Sequence, residues 1–117
     1  YAGAYDVQRD TYIHADFYRF RSLLEKRILQ DQTVEAYTRM LNVSPGFLNK
    51  ICRQFSGMSA QQMIHHKLVS EIKKQLYQNK SVKEICYELG FSDPSNFNRF
   101  FKKLTHITPQ QYRKNIK

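Results

Sequence analysis

Tryptophan is absent from this chain of 117 residues, and glycine (4), proline (3) and cysteine (2) are scarce. Few glycines and prolines leave too few turn signals for an all-β fold, so an all-α fold is expected. The two cysteines, Cys52 and Cys86, form no CxxC pair and offer neither a disulfide framework nor a zinc site. Both lie inside apolar periodicities and read as small core residues. No run of ~18 apolar residues occurs, so no membrane-spanning helix is expected. The opening YAGAYDVQRD has no apolar segment of the kind a signal peptide needs, and the expected location is the cytoplasm. Tyr1 is no initiator residue, so a further region upstream is expected. Acidic residues are few as well: Asp and Glu number 10 against 19 Lys and Arg, a formal net charge of +9. That excess repels itself in a compact chain and suits a polyanionic partner, nucleic acid first and an anionic membrane second.

What is present builds a core. Hydrophobic residues make up 41% and aromatic residues 14% of the chain, enough for one folded domain or two small subdomains. Its most informative feature is an internal repeat. TVEAYTRML (33–41) aligns with SVKEICYEL (81–89) at an offset of 48, matching Val34 to Val82, Tyr37 to Ile85 and Leu41 to Leu89. LNKICRQFSGMSAQQM (48–63) aligns with FNRFFKKLTHITPQQY (97–112) at an offset of 49.

Each copy reads as helix, tight turn, helix. Thr33 and Ser81 stand at N-cap positions before apolar residues spaced i, i+3, i+7. Asn42 and Gly90 follow, two residue types that tolerate positive φ where a chain leaves a helix. Ser44 then caps a second helix with Pro45 at its first position, and Ser92 or Asp93 does so before Pro94. This is the helix-turn-helix pattern.

The second helix of each copy uses both faces. Leu48, Ile51, Cys52 and Phe55 recur at i, i+3, i+4, i+7, as do Phe97, Phe100, Phe101 and Leu104, and these faces are expected inside. The opposite faces carry Gly46, Asn49, Lys50 and Arg53, and Ser95, Asn98, Arg99, Lys102 and Lys103. One such face alone is an ordinary solvated surface; its recurrence after a capped turn favours a polyanion. Elsewhere, Phe17, Phe20, Leu24 and Ile28 predict a helix over about 16–29. Ile64, Leu68, Ile72 and Leu76 predict a linker helix over about 59–79, of which roughly 19 residues span about 28 Å. A last short helix starts at Thr108–Pro109. Residues 1–15 show no period and read as a linker or tail before a domain over 16–117. The two helix-turn-helix units are placed at about 33–56 and 81–104.

No catalytic constellation assembles: there is no Ser/His/Asp set, carboxylate pair or glycine-rich phosphate loop. Adjacent His65 and His66 point apart on a helix and make a poor metal pair. The chain is therefore read as no enzyme, with neither metal nor cofactor. A protein–protein module with an acidic partner, and a DNA-modifying enzyme whose reader this domain forms, stay open as alternatives.

The run SVKEICYELGFSDPSNFNRFFKKLTHITPQQYRK resembles the signature of AraC/XylS-type bacterial transcription regulators, and TVEAYTRMLNVSPGFLNKICRQFSGMSAQQMI resembles their first helix-turn-helix. The resemblance covers roughly residues 17–115. It implies an all-α domain of about seven helices, with two helix-turn-helix subdomains joined by a long linker helix. It further implies promoter DNA and RNA polymerase as partners, and a separate sensing or dimerisation region. By motif position, base contacts fall on Gly46, Asn49 and Lys50 and on Ser95, Asn98 and Arg99. Gly46 stands where a larger side chain is usual and has nothing with which to reach a base. Arg99 suits guanine O6/N7, as does Lys50, while Asn49 and Asn98 suit adenine. Arg53, Lys102 and Lys103, further along their helices, suit phosphates, as do the capped helix starts at Thr33, Ser44, Ser81 and Ser92.

Overall fold

The computed structural model describes the backbone of residues 2–116 and the side chains of residues 15–116. The described chain is all-helical, with seven helices: α1 (Ala2–Arg27), α2 (Val34–Leu41), α3 (Pro45–Ser56), α4 (Ala60–Leu76), α5 (Val82–Glu88), α6 (Pro94–Thr105) and α7 (Pro109–Asn115). α2–α3 and α5–α6 are the two helix-turn-helix units, and α4 lies between them in sequence. The chain divides into two compact units, Tyr1–Lys67 and Leu68–Lys117. No helix among the described residues is long and apolar enough to cross a membrane.

α1 begins at Ala2 rather than near Asp16, so residues 2–14, expected to be a linker or tail, continue its backbone. An apolar period reports packing, whereas helix propagation needs only the absence of breakers. Between Ala2 and His14 there is one glycine and no proline.

In the first unit α1 packs on α2 and α3, and its Phe20 and Leu24, with Ile28 just past its end, are 0–5% exposed. Phe20 meets the Tyr37 ring edge-on, centroids 5.5 Å apart. Tyr37 is fully buried and donates its hydroxyl to the Asp31 carbonyl at 2.7 Å. Burial, and then the Asp31 charge, push that phenol up to about 12.

In the second unit Leu68, Ile72 and Leu76 of α4 are 0–2% exposed, at the spacing of Phe20, Leu24 and Ile28 and 48 residues later. The buried period of α1 thus returns in the second half of α4. Phe97 and Phe101 of α6 are fully buried, Phe97 against Phe91 of the turn and Phe101 against Tyr112 of α7. α4 stops at Leu76, where Arg113 of α7 gathers the departing chain. Its guanidinium donates to the carbonyls of Leu76 (3.2 Å), Gln78 (3.4 Å) and Lys80.

Leu104, expected inside, is 43% exposed. Its repeat partner Phe55 rests on Phe17, centroids 5.4 Å apart. The residue 48 positions after Phe17 is His65, so the second copy does not repeat the phenylalanine pair of the first. Phe100 is half-buried against Phe91, and Phe55 is half-buried too.

Candidate nucleic-acid interface

Both turns close by the same bonds. The Val43 N–H donates to the Thr38 carbonyl and the Phe91 N–H to the Cys86 carbonyl, each at 3.1 Å, across six residues. The residues in between, Asn42 and Gly90, adopt φ of 56° and 85°, as their types predict. The following helices start in the same way. Ser44 Oγ accepts from the Phe47 N–H at 3.1 Å, and Asp93 Oδ1 from the Asn96 N–H at 2.9 Å, each ahead of a proline. Asp93, not Ser92, is therefore the cap of α6. These locks fix the rotation of α3 and α6 about their axes and so decide which residues face out.

Gly46, Lys50 and Arg53 are exposed on α3, and Ser95, Arg99 and Lys102 are exposed on α6 at the same i, i+4, i+7 spacing; Lys103 lies beside them. Arg53, Lys50, Arg99, Lys102 and Lys103 make no ion pair among the described residues. Elsewhere carboxylates hold Arg19, Arg27, Lys67, Lys74 and Lys80 at 2.6–3.2 Å. The cations of α3 and α6 are thus left to an external anion. A Cβ added at Gly46 meets nothing within 4 Å, so the glycine answers no crowding inside the protein.

The structure places the two asparagines differently from the expectation. Asn49 is half-buried, and its Oδ1 accepts from the Ala60 N–H at 2.9 Å, capping α4 from the side. Asn98 occupies the equivalent place in α6, with a buried Oδ1 that has no partner among the described residues. Asn49 reaches toward the following helix, and neither asparagine is fully exposed as the rest of the row is. The spacing could have shown this: at 100° per residue, 49 and 98 fall beside the buried positions 48, 52, 97 and 101.

At the helix starts, Thr33 Oγ1 accepts from Ala36 N–H (3.2 Å) and Ser81 Oγ from Glu84 N–H (3.0 Å). Thr33, Ser44, Ser81 and Ser92 are all exposed, and a capping hydroxyl still has a proton to give. Cys52 and Cys86 are free thiols at 0% exposure, and burial pushes Cys52 up to about 11 and Cys86 upward too. Neither is a thiolate at neutral pH.

Two helix-turn-helix units, each presenting an exposed basic row on its second helix, define a DNA-binding domain. A family model described as a helix-turn-helix domain matches residues 37–115. The chain belongs to that family and is an AraC-type DNA-binding transcription regulator domain. It is 26% identical over 110 residues to the HTH-type transcriptional regulator YijO of Escherichia coli, covering 92% of this chain and 38% of that protein. It is 35% identical over 78 residues to the transcriptional regulatory protein YesN of Bacillus subtilis, covering 64% and 21%. The chain thus spans well under half the length of these relatives. Among solved structures it superposes on the C-terminal domain of AraT, a response regulator from Geobacillus stearothermophilus. The TM-score is 0.77 at 27% identity, covering 86% of this chain and 84% of that one. The C-terminal domain of the two-component response regulator yesN from Fusobacterium nucleatum gives 0.70 at 28%, covering 80% and 93%.

Proposed function

We propose that this chain reads promoter DNA with two heads, inserting α3 and α6 into successive major grooves on one side of the duplex. The observation that carries this is the pair of matched rows of exposed residues, Gly46–Lys50–Arg53 and Ser95–Arg99–Lys102, whose cations no carboxylate among the described residues neutralises. α4 has 17 residues, about 26 Å of helix at 1.5 Å per residue, against ~34 Å for one turn of B-DNA.

Arg99 is the principal base reader, bidentate to guanine, with Ser95 beside it. Lys50 reads guanine in the first groove, and Gly46 leaves that step unread. Arg53, Lys102 and Lys103 grip phosphates, helped by the hydroxyls of Thr33, Ser44, Ser81 and Ser92. Asn49 and Asn98, placed among the base readers by motif, are reassigned to packing: the one oxygen is taken by Ala60, and the other is buried. RNA polymerase is the proposed protein partner, and a sensing or dimerising region is proposed for the rest of the longer protein.

Selection of bound sites from random duplex DNA at ~150 mM salt tests the two-headed assignment. Wild type should enrich two motifs about one helical turn apart. Arg99→Ala should relax one base pair of the second motif, at a cost of ~1–3 kcal/mol. Lys50→Ala should relax one base pair of the first. Lys102→Ala should weaken all sequences alike and flatten the salt slope by about 1. Absence of any enriched motif would reject the assignment.

A further inference from the structure

The second head contains a side-chain relay that the first does not. Asn96, one turn before Arg99 on α6, accepts through Oδ1 from the Arg99 guanidinium. Its Nδ2 donates to Ser92 Oγ at 2.7 Å and to Asp93 Oδ2 at 3.4 Å. The orientation of this amide is forced chemically. A guanidinium only donates and a carboxylate only accepts, so the oxygen must face Arg99 and the nitrogen must face Asp93. Asp93 is itself held by its bond to the Asn96 backbone N–H at 2.9 Å. Arg99 is thereby tied to the first turn of its own helix, although its side chain stands exposed. In the first head the residue at the place of Asn96 is Phe47, which has no group to offer Lys50.

We propose that Asn96 is a positioning residue that sets the specificity of the second head. It holds one guanidinium nitrogen and so narrows the directions from which Arg99 presents its other N–H groups to a base. A bidentate contact to guanine needs the plane of the guanidinium fixed, and an arginine fixed before binding loses less rotamer entropy on binding. Ser92 and Asp93 serve the same end by keeping the amide from turning over. Lys50, a flexible point charge with no such holder, discriminates less sharply. This inference rests on Arg99 being a base reader.

The test uses the duplex selected by wild-type protein and three duplexes carrying the other base pairs at the position that Arg99→Ala relaxes. Binding is followed by fluorescence anisotropy at ~150 mM salt. Asn96→Ala should cut discrimination at that one position by roughly 3- to 10-fold and leave discrimination at the other positions unchanged. Asn96→Asp keeps the acceptor for Arg99 and should retain that discrimination while binding every duplex more weakly, through its added negative charge. Ser92→Ala, which leaves both α6 side chains in place, should give a smaller loss at the same position and guards against misfolding of the Asn96 variants. Full discrimination in Asn96→Ala, where Arg99→Ala has lost it, overturns the positioning role alone. If Arg99→Ala itself changes no base preference, the base-reading assignment fails and the positioning role falls with it.

Discussion

In the first helix-turn-helix, Asn49 reaches the helix that follows, and its carboxamide oxygen takes the N–H of the fully buried Ala60. Forty-nine residues later Asn98 stands in the same place, and the residue at the place of Ala60 is Pro109, which has no N–H to give. The oxygen stays buried and unpartnered. The two left-handed positions are traded in the same way. The first copy has Asn42 at its turn and Gly57 after its second helix; the second has Gly90 at the turn and His106, at φ 72°, after the helix. Other features agree in detail. Ser59 with Gln62 and Thr108 with Gln111 exchange the same reciprocal cap bonds at 2.9 and 3.1 Å. Ser56 and Thr105 each return a hydroxyl to the carbonyl four residues back. One backbone plan therefore tolerates different polar satisfaction. The second copy adds compensations of its own: the Phe91 ring under α6 and the Arg113 clamp on the end of α4, where the first copy has Val43 and Ile64.

The widest separation between the copies should come from their buried centres. Phe101→Ala should cost ~3–5 kcal/mol in urea unfolding, against about 1 kcal/mol for Cys52→Ala at the equivalent place. A loss below about 1 kcal/mol for Phe101→Ala would contradict its burial. Next come the asparagines. Asn49→Ala strands the Ala60 N–H and should cost about 1–3 kcal/mol, whereas Asn98→Ala removes an oxygen with no donor and should stay within about 0.5 kcal/mol of wild type. Equal losses would mean that the two side chains are equally satisfied. The αL positions should shift stability by about 1 kcal/mol in opposite directions: His106→Gly upward by relieving strain, Gly57→Ala downward by creating it.

A pH dependence in the first unit completes the comparison. Tyr37, pushed to about 12, keeps its proton where the same tyrosine in the unfolded chain, near 10, has lost it. The unfolded state then binds fewer protons, so this contribution to stability is present below about pH 10 and disappears as pH rises through about 12. Tyr37→Phe should flatten that alkaline loss, read as the unfolding midpoint against pH. An unchanged slope would mean that Tyr37 ionises as freely when folded.

Most of the fold is legible in the sequence because it is written twice. The spacing of Leu48, Ile51 and Cys52 and of Phe97 and Phe101 marks the buried faces, and Pro45, Pro94 and Pro109 mark helix starts. Leu104 breaks the pattern because a helical period records its own helix and not whether a partner ring, such as Phe17 gives Phe55, is supplied from elsewhere. The helical backbone of residues 2–14 is silent because no periodicity accompanies it. Of the interface, the exposed cations are legible as one helical stripe. The reach of Asn49 to Ala60 depends on a neighbouring helix, which motif position does not record. The relay from Ser92 through Asn96 to Arg99 depends on rotamers, and only the Asp-Pro helix start hints at it.

Hydroxyl-radical footprinting of the selected duplex is the most direct test of two heads reading successive grooves. The account predicts two protected windows about one helical turn apart on one face, with Arg99→Ala opening only one and Lys50→Ala only the other. A single window, lost with Arg99→Ala and indifferent to Lys50→Ala, would contradict it.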